Sequence, residues 1–555
     1  MVDLIIVGGG VNGTGIARDA AMRGLSVVLI EREDFGVGAS GNSSWMVHGG
    51  VRYLLTDPKV TRVSCRDSGY IQKIAPHLIF RIPFLMPILP GMPGGRLVDL
   101  AYAYGTECFL GVYDRYQPLK NGKQSTRLSP EEVHRLYPAV RPDIVGAVTL
   151  DEYGIDAYRL CVINALSAAE HGAKLHTWTV VEKVLRDEAG HVRGVIARDR
   201  LTGDVLELKG RAVFNATGAW SPRFARRQGA RVEMRPGKGV HVVLDRKISN
   251  YGVITKAVDG RDMFVIPLET SSVIGTTDDD FYGDPGALEA THDEVAYLIQ
   301  AASHVLPSIE RARVIRTYAG VRPTLHTYGI DESSLSRDHR IVDHASDGAP
   351  GMLSMVGGKL AAYRMMSEEA VDAVETVMGG SPTSCRTHVQ PLPGGTTPLP
   401  NPIALAEEYG TPPWETSRLV HRQGANARDA LELTRDEPAL RAPICRCEGV
   451  LGAELVWCIR FEHVRRLVDL VRRCRLGHGP CGGARCVRVA GSLFARERGL
   501  EQKKAEREID VLLQELWKWR RPALDGAQLA QEELTRGLFC SAGPTGSDGQ
   551  PGSGA

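Results

Sequence analysis

The sequence lacks long apolar runs and any excess of charge. Lys and Arg number 67 against 66 Asp and Glu in 555 residues, so the net charge is +1 and gives no overall attraction to nucleic acid or anionic lipid. The most apolar segment, Leu78 to Leu89, contains an arginine and two prolines and is shorter than the ~20 residues of a membrane-spanning helix. This segment predicts a buried loop or a pair of strands, with peripheral membrane contact as the alternative.

We expect no secretory leader, because Met1 is followed within three residues by the strand-like run LIIV, without a basic region or a cleavage site. We therefore expect a cytoplasmic protein. In that reducing compartment the eleven cysteines serve as ligands, catalytic groups or packing residues before disulfides. The length predicts several domains, about three or four of ~150 residues each.

The residues from Leu4 to Glu31 predict a dinucleotide-binding βαβ unit. A short apolar strand runs directly into Gly8, Gly10 and Gly13, which satisfy G-x-G-x-x-G, and a helix and a second strand ending in the acid follow. The first glycine permits the tight turn, the second lets the backbone approach a pyrophosphate, and the third lets helix and strand pack closely. The acid is expected to accept hydrogen bonds from the adenosine ribose.

Two later stretches bear on the choice between NAD and FAD, which the glycine pattern leaves open. Arg211 to Ser221 predicts a strand running into Ala-Thr-Gly, and Gly351 to Arg364 predicts a strand, a Gly-Gly turn and a helix. In the second stretch a helix amino terminus at residues 357–359 would direct positive potential at a flavin's N1 and O2. Both stretches favour FAD.

Six motifs in order along nearly the whole chain resemble the FAD-dependent glycerol-3-phosphate dehydrogenases. They are DLIIVGGGVNGTGIARDAAMRGLSVVLIE at the amino terminus, HGGVRYL (48–54), PGKGVHVV (236–243), VIGTTD (273–278), YAGVRP (318–323) and GGKLAAYR (357–364). The resemblance implies an α/β fold in which a Rossmann-type FAD-binding domain is interleaved with an α+β substrate domain on an antiparallel sheet. It also implies oxidation of sn-glycerol 3-phosphate to dihydroxyacetone phosphate.

The positions that match the active-site motifs of this family are His48, Arg52, Tyr53, His241, Arg322 and Lys359. Their chemistry suits the reaction, because a phosphate dianion needs cations and a secondary alcohol needs a proton acceptor with a pKa near neutrality. We expect the arginines and the lysine to bind phosphate. His241 is the first candidate for the base and His48 the second.

The resemblance also implies a set of cofactor-binding positions along the FAD-binding domain. They are Gly8, Gly10, Asn12, Gly13, Glu31, Arg32, Ser40, Ser43, Ser44, His48, Gly49, Val181, Ala216, Thr217, Gly218, Trp220, Gly357, Gly358, Lys359 and Leu360.

Four cysteines form two tight pairs near the carboxyl end, Cys445 with Cys447 and Cys481 with Cys486, around a stretch with helical spacing. Three uses compete. A disulfide pair is disfavoured by the compartment. Tetrahedral zinc takes four thiolates, but its usual pairs have two to four residues between them, and the first pair here has one. A [2Fe-2S] cluster also takes four cysteines and suits basic surroundings, here residues 446, 475, 478 and 485.

The thiol-bearing module resembles the bacterioferritin-associated-ferredoxin type of [2Fe-2S] domain found in one subunit of the anaerobic glycerol-3-phosphate dehydrogenases. That resemblance implies electron-transfer and membrane-anchor partner subunits leading to quinone, and location at the inner face of the membrane through them. HGGVRYL instead resembles the aerobic branch, which leaves the electron acceptor open. No nucleic-acid partner and no transmembrane segment are expected. The other cysteines, including Cys108, Cys458, Cys474 and Cys540, are interpreted as packing residues.

These interpretations divide the chain into an oxidoreductase unit and a carboxyl-terminal part. The predicted ranges are FAD binding at about 1–80, 155–225 and 335–375, substrate domain at about 81–154 and 226–334, linker and helical connector at 376–440, [2Fe-2S] domain at 441–500, helical segment at 501–540 and disordered tail at 541–555. Two alternatives stay open: a flavoenzyme of the same fold acting on another small anion, a 2-hydroxy acid or an amine, and a non-catalytic zinc-stabilised scaffold.

Overall fold

Two large β-sheets and a helical carboxyl-terminal region make up the protein, in a computed structural model. It describes residues 1–55, 57–91, 95–326 and 338–541, without the side chains of Arg52 and of residues 539–541. The predicted disordered tail lies outside the described residues, apart from its first residue.

The strands alternate with the helices along the first 380 residues and become rare after them. The strands are β1 (Val2–Val7), β2 (Val27–Ile30), β3 (Ile79–Ile88), β4 (Arg127–Leu128), β5 (Gly146–Ile155), β6 (Lys174–His176), β7 (Thr179–Arg186), β8 (Val192–Asp199), β9 (Val205–Asn215), β10 (Arg235–Leu244), β11 (Gly252–Lys256), β12 (Asp262–Leu268), β13 (Ser271–Gly275), β14 (Asp279–Asp280), β15 (Val314–Thr324), β16 (His339–Asp343), β17 (Met352–Gly357), β18 (Pro443–Cys445) and β19 (Val450–Leu451). The helices are α1 (Val11–Met22), α2 (Pro58–Ile74), α3 (Arg96–Tyr113), α4 (Pro130–Leu136), α5 (Ala157–Glu170), α6 (Ser221–Arg227), α7 (His292–Ser303), α8 (Tyr363–Val377), α9 (Pro402–Tyr409), α10 (Pro413–Gln423), α11 (Ala427–Asp436), α12 (Gly452–Phe461), α13 (Leu470–Cys474), α14 (Val487–Arg498), α15 (Gln502–Arg520) and α16 (Gly526–Ser541).

The first sheet has the order β16-β17-β9-β1-β2-β6, and the β7-β8 hairpin extends from β9. The central pairings are parallel, β1 with β2 and β9, and β17 with β9, whereas β16 is antiparallel to β17. Strand β1 is buried over its last four residues because α1, α5 and α8 pack over the sheet. The β7-β8 hairpin packs on the opposite face of this Rossmann-type sheet, and the carboxyl ends of β1, β2, β9 and β17 lie along one edge.

The second sheet has the order β14-β10-β13-β12-β11-β3-β5-β4, with β15 on the other edge of β10. Its pairings are antiparallel except for β11 with β3. The predicted fold class, a Rossmann-type domain interleaved with an antiparallel substrate domain, is confirmed. The apolar segment from Leu78 to Leu89 forms the single strand β3 rather than a loop or a strand pair, because its ten residues pair continuously with β5.

The carboxyl-terminal helices surround an apolar core of their own. Helix α15 inserts Leu512 and Leu516 into that core, with Ile509 and Leu513 partly buried beside them. The core packs against the first sheet through α13, which contacts α5. In the described ranges, no helix has both the length and the hydropathy needed to cross a bilayer.

Candidate functional site

The glycine-rich turn after β1 forms a cradle that a side chain would fill. Gly8 has a φ of +112°, and a Cβ there would lie 2.5 Å from the carbonyl oxygen of Ala216. A Cβ on Gly13 would lie 1.8 Å from the carbonyl oxygen of Gly8, which is the close approach of helix and strand that the pattern predicts. Helix α1 begins at Val11, so its first backbone N–H groups point to the open end of this turn.

Glu31 lies at the end of β2, where the ribose-binding acid was predicted. Its carboxylate accepts hydrogen bonds from the backbone N–H of Gly9 at 2.6 Å and of Glu33 at 2.9 Å. Burial raises the pKa of Glu31, while these two hydrogen bonds act in the opposite direction. The contacts hold the carboxylate against the glycine turn.

A cavity of about 250 Å³ lies beside these groups and is lined by the predicted cofactor residues Arg32 and Trp220. The guanidinium of Arg32 lies 4.9 Å from the Trp220 ring, and the buried indole N–H of Trp220 has no partner among the described side chains and backbone. Lys518 and Trp519 of α15 line the same cavity. Sequence reasoning missed both, because nothing in a helix 300 residues away signals this contact.

A second cavity, of about 360 Å³, brings most of the predicted catalytic residues together between the two sheets. Its wall includes the catalytic candidates His48, Tyr53, His241, Arg322 and Lys359 and the cofactor candidates Asn12, Ser40, Ser43, Ser44, Gly357, Gly358 and Leu360. Arg52 lies in a short 3₁₀ turn, and its side chain is outside the described atoms. Val181 belongs to the apolar core of the first sheet and lines neither cavity.

The loop from Ser40 to Ser44 separates the two cavities. The Ser40 hydroxyl accepts a hydrogen bond from the backbone N–H of Val11 at 3.0 Å, which ties the loop to the start of α1. The predicted Ala-Thr-Gly turn lies on the other side of the sheet edge. The Thr217 hydroxyl donates to the Asn215 side chain at 2.6 Å and fixes this turn, and Gly218 has a φ of +56°. Both segments therefore border the edge where β1 and β9 end.

His241 is enclosed in the wall of the larger cavity. Its Nε2 lies 3.0 Å from the Ser44 hydroxyl, and its ring stacks on Tyr318 with centroids 4.6 Å apart. Burial, with a smaller contribution from the charge of Arg322, lowers the pKa of His241 to about 3. This pKa does not match the near-neutral base that the sequence predicted; the role itself stays a prediction.

Arg322 is held in place by the residues that follow strand β13. Its guanidinium forms an ion pair with Asp278 and donates to the Thr276 hydroxyl at 2.9 Å. A quarter of the side chain is exposed, toward the cavity that it lines. Sequence reasoning missed Asp278 as a functional residue, although it is the last residue of the VIGTTD motif.

Lys359 follows the Gly-Gly turn at the end of β17, where both glycines have φ values above +80°. Its Nζ donates to the carbonyl oxygen of Gly49 at 3.3 Å and lies 5.3 Å from the centroid of the Tyr53 ring. The helix begins only at Tyr363, after a 3₁₀ turn over Leu360–Ala362. The helical segment therefore begins directly after Lys359, which agrees with the predicted amino terminus at residues 357–359, although its first turn is 3₁₀.

The structure brings the four thiols into two contacts, each of which joins one cysteine of the first sequence pair to one of the second. The sulfurs of Cys447 and Cys481 lie 3.7 Å apart, and Cys445 is hydrogen-bonded to Cys486. That bond lowers the pKa of Cys445 to about 7 and raises the pKa of Cys486, whereas burial raises the pKa of Cys447 to about 11. A tetrahedral metal with sulfur bonds of about 2.3 Å places its thiolates about 3.8 Å apart, close to the observed spacing.

The donor set suits metal binding in type and in pairing, yet the thiols do not enclose one point. No group of three or more His, Cys, Asp or Glu side chains is placed to hold a single metal ion in the part of the chain that the structure describes. The thiols form two pairs side by side.

The charges around the thiols differ from those expected. Arg475 is buried and bound to Glu448 at 2.9 Å and to Glu269 at 3.1 Å, and burial keeps the pKa of His478 well below its usual value. The predicted positive charge of these two residues is therefore neutralised or absent. Arg520 of α15 lies beside Gly482, because a Cβ on Gly482 would be 2.4 Å from the Nη1 atom of Arg520. The sequence did not indicate that this arginine is close to the thiols.

The remaining cysteines mostly pack as expected. Cys458 and Cys474 are buried and hydrogen-bonded to each other, and Cys65 and Cys161 are buried. Cys108 is exposed on α3, so its interpretation as a packing residue is wrong. The side chain of residue 540 lies outside the description.

Two family models match the chain. The model described as FAD dependent oxidoreductase matches residues 3–364, and the model described as C-terminal domain of alpha-glycerophosphate oxidase matches residues 385–505. The first match covers both sheets, and the second covers most of the helical region with the four thiols.

Curated relatives match over almost the full length. The chain is 32% identical to one subunit of the anaerobic glycerol-3-phosphate dehydrogenase of Escherichia coli over 543 residues, 97% of this chain and 96% of the relative. It is 33% identical to the glycerol-3-phosphate dehydrogenase of Mycobacterium leprae over 520 residues, 91% and 86% of the two chains.

Solved structures agree in fold. The glycerol-3-phosphate dehydrogenase from Bacillus halodurans complexed with FAD superposes with a TM-score of 0.72 at 26% identity, covering 95% of this chain and 96% of that one. Glycine oxidase from Geobacillus kaustophilus, at 20% identity and a TM-score of 0.52, covers 70% of this chain and shares the fold.

Proposed function

The chain belongs to the FAD-dependent glycerol-3-phosphate dehydrogenase family, and on that premise we propose that it oxidises sn-glycerol 3-phosphate to dihydroxyacetone phosphate. The observation that carries the proposal is the cavity between the two sheets, where Arg322 and Lys359 bring cationic groups to the wall that also holds the predicted flavin contacts. The negative phosphate of the substrate matches these charges.

The residues present fit FAD. The turn at Gly8 and Gly13 has no room for side chains at these two positions. Glu31 is held at the end of β2 by the backbone N–H of Gly9. The indole N–H of Trp220 is buried without a partner among the described residues. When bound, FAD supplies the acceptor for the hydride that leaves C2 of the substrate. The chain's own residues orient the substrate and take up its proton.

Arg322 and Lys359 are proposed to grip the phosphate from the substrate-domain side and the FAD-domain side of the cavity. Asp278 and the Thr276 hydroxyl hold the Arg322 guanidinium at the wall of the cavity. A carboxylate satisfies an arginine as a phosphate does, which keeps a 2-hydroxy acid or amine as the second candidate substrate.

His48 is the better candidate for the proton acceptor in this cavity. His241 accepts protons weakly at neutral pH, because burial holds its pKa at about 3. His48 is only partly buried and lines the same wall. We assign His241 to orienting the Ser44 hydroxyl, its hydrogen-bond partner.

The four thiols are proposed to hold a [2Fe-2S] cluster. Two adjacent pairs, with 3.7 Å between the sulfurs of Cys447 and Cys481, suit two neighbouring irons better than one zinc ion, which requires four ligands around one point. When bound, the cluster carries electrons one at a time toward an outside acceptor. By analogy with the relatives that are named as subunits of an anaerobic dehydrogenase, we propose partner subunits that lead to membrane quinone and hold the chain at the membrane surface.

Anaerobic titration of the purified chain with sn-glycerol 3-phosphate, followed by the visible spectrum, tests the substrate and the flavin together. We expect flavin bleaching with this substrate and none with equimolar lactate or glycine. Bleaching by lactate or glycine alone would select the second candidate. A spectrum without flavin bands, with zinc found by metal analysis, would instead establish the scaffold alternative.

A further inference from the structure

The backbone turn at Gly49 and Gly50 supports the ammonium of Lys359 in the larger cavity. Lys359 Nζ donates to the carbonyl oxygen of Gly49 at 3.3 Å, and a Cβ on Gly50 would lie 2.9 Å from the same Nζ. Both glycines are buried, and Gly50 has a φ of +75°. The position of the ammonium therefore depends on the conformation of this turn.

Position 49 admits only glycine. A Cβ there would lie 2.1 Å from the Tyr113 hydroxyl oxygen and 2.2 Å from the Cys65 sulfur, and both of these side chains have no exposed surface. The turn thus packs directly on α2 and on the end of α3. Because water does not reach this contact, the polar backbone groups of the turn need partners within the protein.

The turn is anchored to α2 and to β5. Two of its carbonyl oxygens accept from hydroxyls of α2, that of Val47 from Ser68 at 2.8 Å and that of Gly50 from Thr61 at 3.4 Å. The backbone N–H of Gly49 donates instead to Glu152 Oε2 at 3.3 Å. Loss of this last contact would leave both hydroxyl contacts in place, so its effect should be local.

Glu152 belongs to a buried charged group beneath the turn. Its carboxylate accepts from the Tyr113 hydroxyl at 2.6 Å and forms an ion pair with Lys120, which also donates to the carbonyl oxygen of Asp151 at 2.7 Å. The exposures of the Glu152 and Lys120 side chains are 3% and 0%. A buried ion pair is weak grounds for stability, because desolvation offsets most of its attraction. Glu152 also lines the substrate cavity, which points to another use.

We infer that Glu152 is a positioning residue that holds the N–H of Gly49 and, through this turn, the ammonium of Lys359 in the cavity. The inference rests on the proposed function, in which Lys359 binds the substrate phosphate. Without an acceptor at position 152, the buried N–H is left unsatisfied, so the peptide between residues 48 and 49 should rotate toward another acceptor. That rotation would move the Gly49 carbonyl away from Lys359.

A purely structural role for the Glu152–Lys120 pair predicts a different result. In that case removal of the pair would change the melting temperature and leave phosphate affinity as it is. The positioning role instead requires a hydrogen-bond acceptor at 152, whether or not the residue carries a charge. The acceptor and the charge can therefore be separated by substitution.

Glu152→Gln/Lys120→Met removes both charges and keeps a carbonyl for the N–H of Gly49. The new amide group can donate to the Tyr113 oxygen, which in the wild type accepts from Lys120 at 3.3 Å. We expect the KM for sn-glycerol 3-phosphate and the Kd for inorganic phosphate to stay near those of the wild type. A folded variant of this kind with weakened phosphate binding would overturn the assignment to the acceptor.

Glu152→Leu/Lys120→Met removes the acceptor together with the charges. Both constants should then rise about tenfold, because the ammonium no longer meets the phosphate in the same place. The limiting rate of flavin bleaching should change by less than about threefold, since Lys359 is assigned to the phosphate and not to the reacting carbon. Calorimetric titration of the FAD-loaded protein with inorganic phosphate gives the Kd without turnover.

A buried ion pair elsewhere provides the matched control. Arg422 of α10 and Glu454 of α12 pair with no exposure on either side chain, and neither residue lines the cavity. Arg422→Met/Glu454→Leu should alter the melting temperature and leave the Kd for phosphate unchanged. Equal phosphate affinities in the glutamine and leucine variants at position 152, at equal melting temperatures, would overturn the positioning role.

Failure of the proposed function has a separate signature. Wild-type protein that binds inorganic phosphate, but whose flavin is not bleached by sn-glycerol 3-phosphate, would contradict the proposed function. The comparison of phosphate affinities between the variants at position 152 would still test the positioning role, because it requires no turnover.

Discussion

The carboxylate of Asp34 and the guanidinium of Arg473 form an ion pair with no exposure on either side chain, at the contact between the first sheet and the carboxyl-terminal helices. Asp34 lies three residues after Glu31, and Arg473 lies on α13. Beside them the Trp178 indole N–H donates to Asp469 at 3.2 Å. The helical region is thereby attached to the nucleotide-binding end of the fold.

We expect Asp34→Ala to lower the free energy of unfolding by about 3–5 kcal/mol, because it leaves Arg473 buried without its partner. Denaturant unfolding measures the loss. Asp34→Asn/Arg473→Met should recover only part of it, since Arg473 is then no longer a buried charge but Arg472, 3.4 Å from the Asp34 carboxylate, still loses its partner. Arg223→Ala, which breaks a pair with Asp284 in which both side chains are 50% exposed, is the control and should cost about 0–1 kcal/mol. Equal losses in the two single variants would contradict the prediction.

Gly13→Ala should abolish FAD binding, because its Cβ would lie 1.8 Å from the Gly8 carbonyl oxygen and force the turn apart. The flavin content of the purified protein, read from its absorbance after denaturation, checks this. Gly537→Ala is a matched control, since a Cβ there meets nothing within 4 Å. A Gly13→Ala protein that retains flavin would show that the turn tolerates a wider spacing.

Arg322→Ala should raise the KM for sn-glycerol 3-phosphate about tenfold or more while FAD stays bound, because a charge-assisted contact to phosphate is lost. Arg322→Lys should recover part of the affinity, since the charge remains but the fork does not. Steady-state kinetics with an artificial acceptor measures both. Arg198→Ala, which breaks an exposed pair with Glu182 on the β7-β8 hairpin, should leave the KM unchanged. Unchanged kinetics in Arg322→Ala would remove this arginine from the binding site.

Cys447→Ser and Cys481→Ser should each remove iron and the cluster's visible absorbance, because these sulfurs lie 3.7 Å apart and are proposed to share one iron. Substrate should still bleach the flavin in both variants. Iron analysis and anaerobic spectra are the measurements. Cys108→Ser, at an exposed thiol, should retain the iron of the wild type. Loss of flavin bleaching with flavin still bound would contradict the separation of the two centres.

Acid should destabilise the protein through its buried histidines. Burial lowers the pKa of His77 to about 3 from its ordinary 6.5, and neither ring nitrogen has a partner in the described residues. Between pH 6.5 and 3 the unfolded chain therefore binds a proton at His77 that the folded chain does not bind. The contribution of His77 to the free energy of unfolding is fully present above pH 6.5 and falls by about 1.4 kcal/mol per pH unit between 6.5 and 3.

Denaturant unfolding at a series of pH values measures this slope. His77→Leu should reduce the pH slope of the free energy of unfolding, because one proton fewer is bound on unfolding. His191→Asn, at a side chain 56% exposed, should leave the slope unchanged. His241 contributes a slope of the same sign, so the variant keeps part of the acid sensitivity. A slope identical in the wild type and His77→Leu would contradict the assignment.

Local patterns carried most of the fold prediction. The turn from Gly8 to Gly13, the strand before it and the acid at Glu31 depend on residues close in sequence, and such short-range patterns follow directly from steric limits on the backbone. The two strands leading to the Ala-Thr-Gly and Gly-Gly turns were predicted for the same reason. The pairing of the four thiols was different, because spacing grouped Cys445 with Cys447, while the fold joins each to a cysteine more than thirty residues away.

Several site residues could not be predicted from one sequence. Glu152 and Lys120 carry no motif, and their role becomes visible only when β5 and the turn after α3 meet beneath Gly49. Lys518 and Arg520 belong to a helix whose pattern indicates only an apolar face, and its docking brings them to the cofactor cavity and the thiols. The pKa of His241 likewise depends on burial, which a sequence does not state.

The sequence by itself determined the nucleotide-binding unit, the family and the residue types available for phosphate and metal binding, since these depend on short stretches whose geometry is local. The tertiary structure alone decided which thiols pair, which charges are cancelled by buried partners, and which cations face the cavity. These outcomes depend on distances and burial between segments hundreds of residues apart, and electrostatic energy follows distance in space rather than order along the chain.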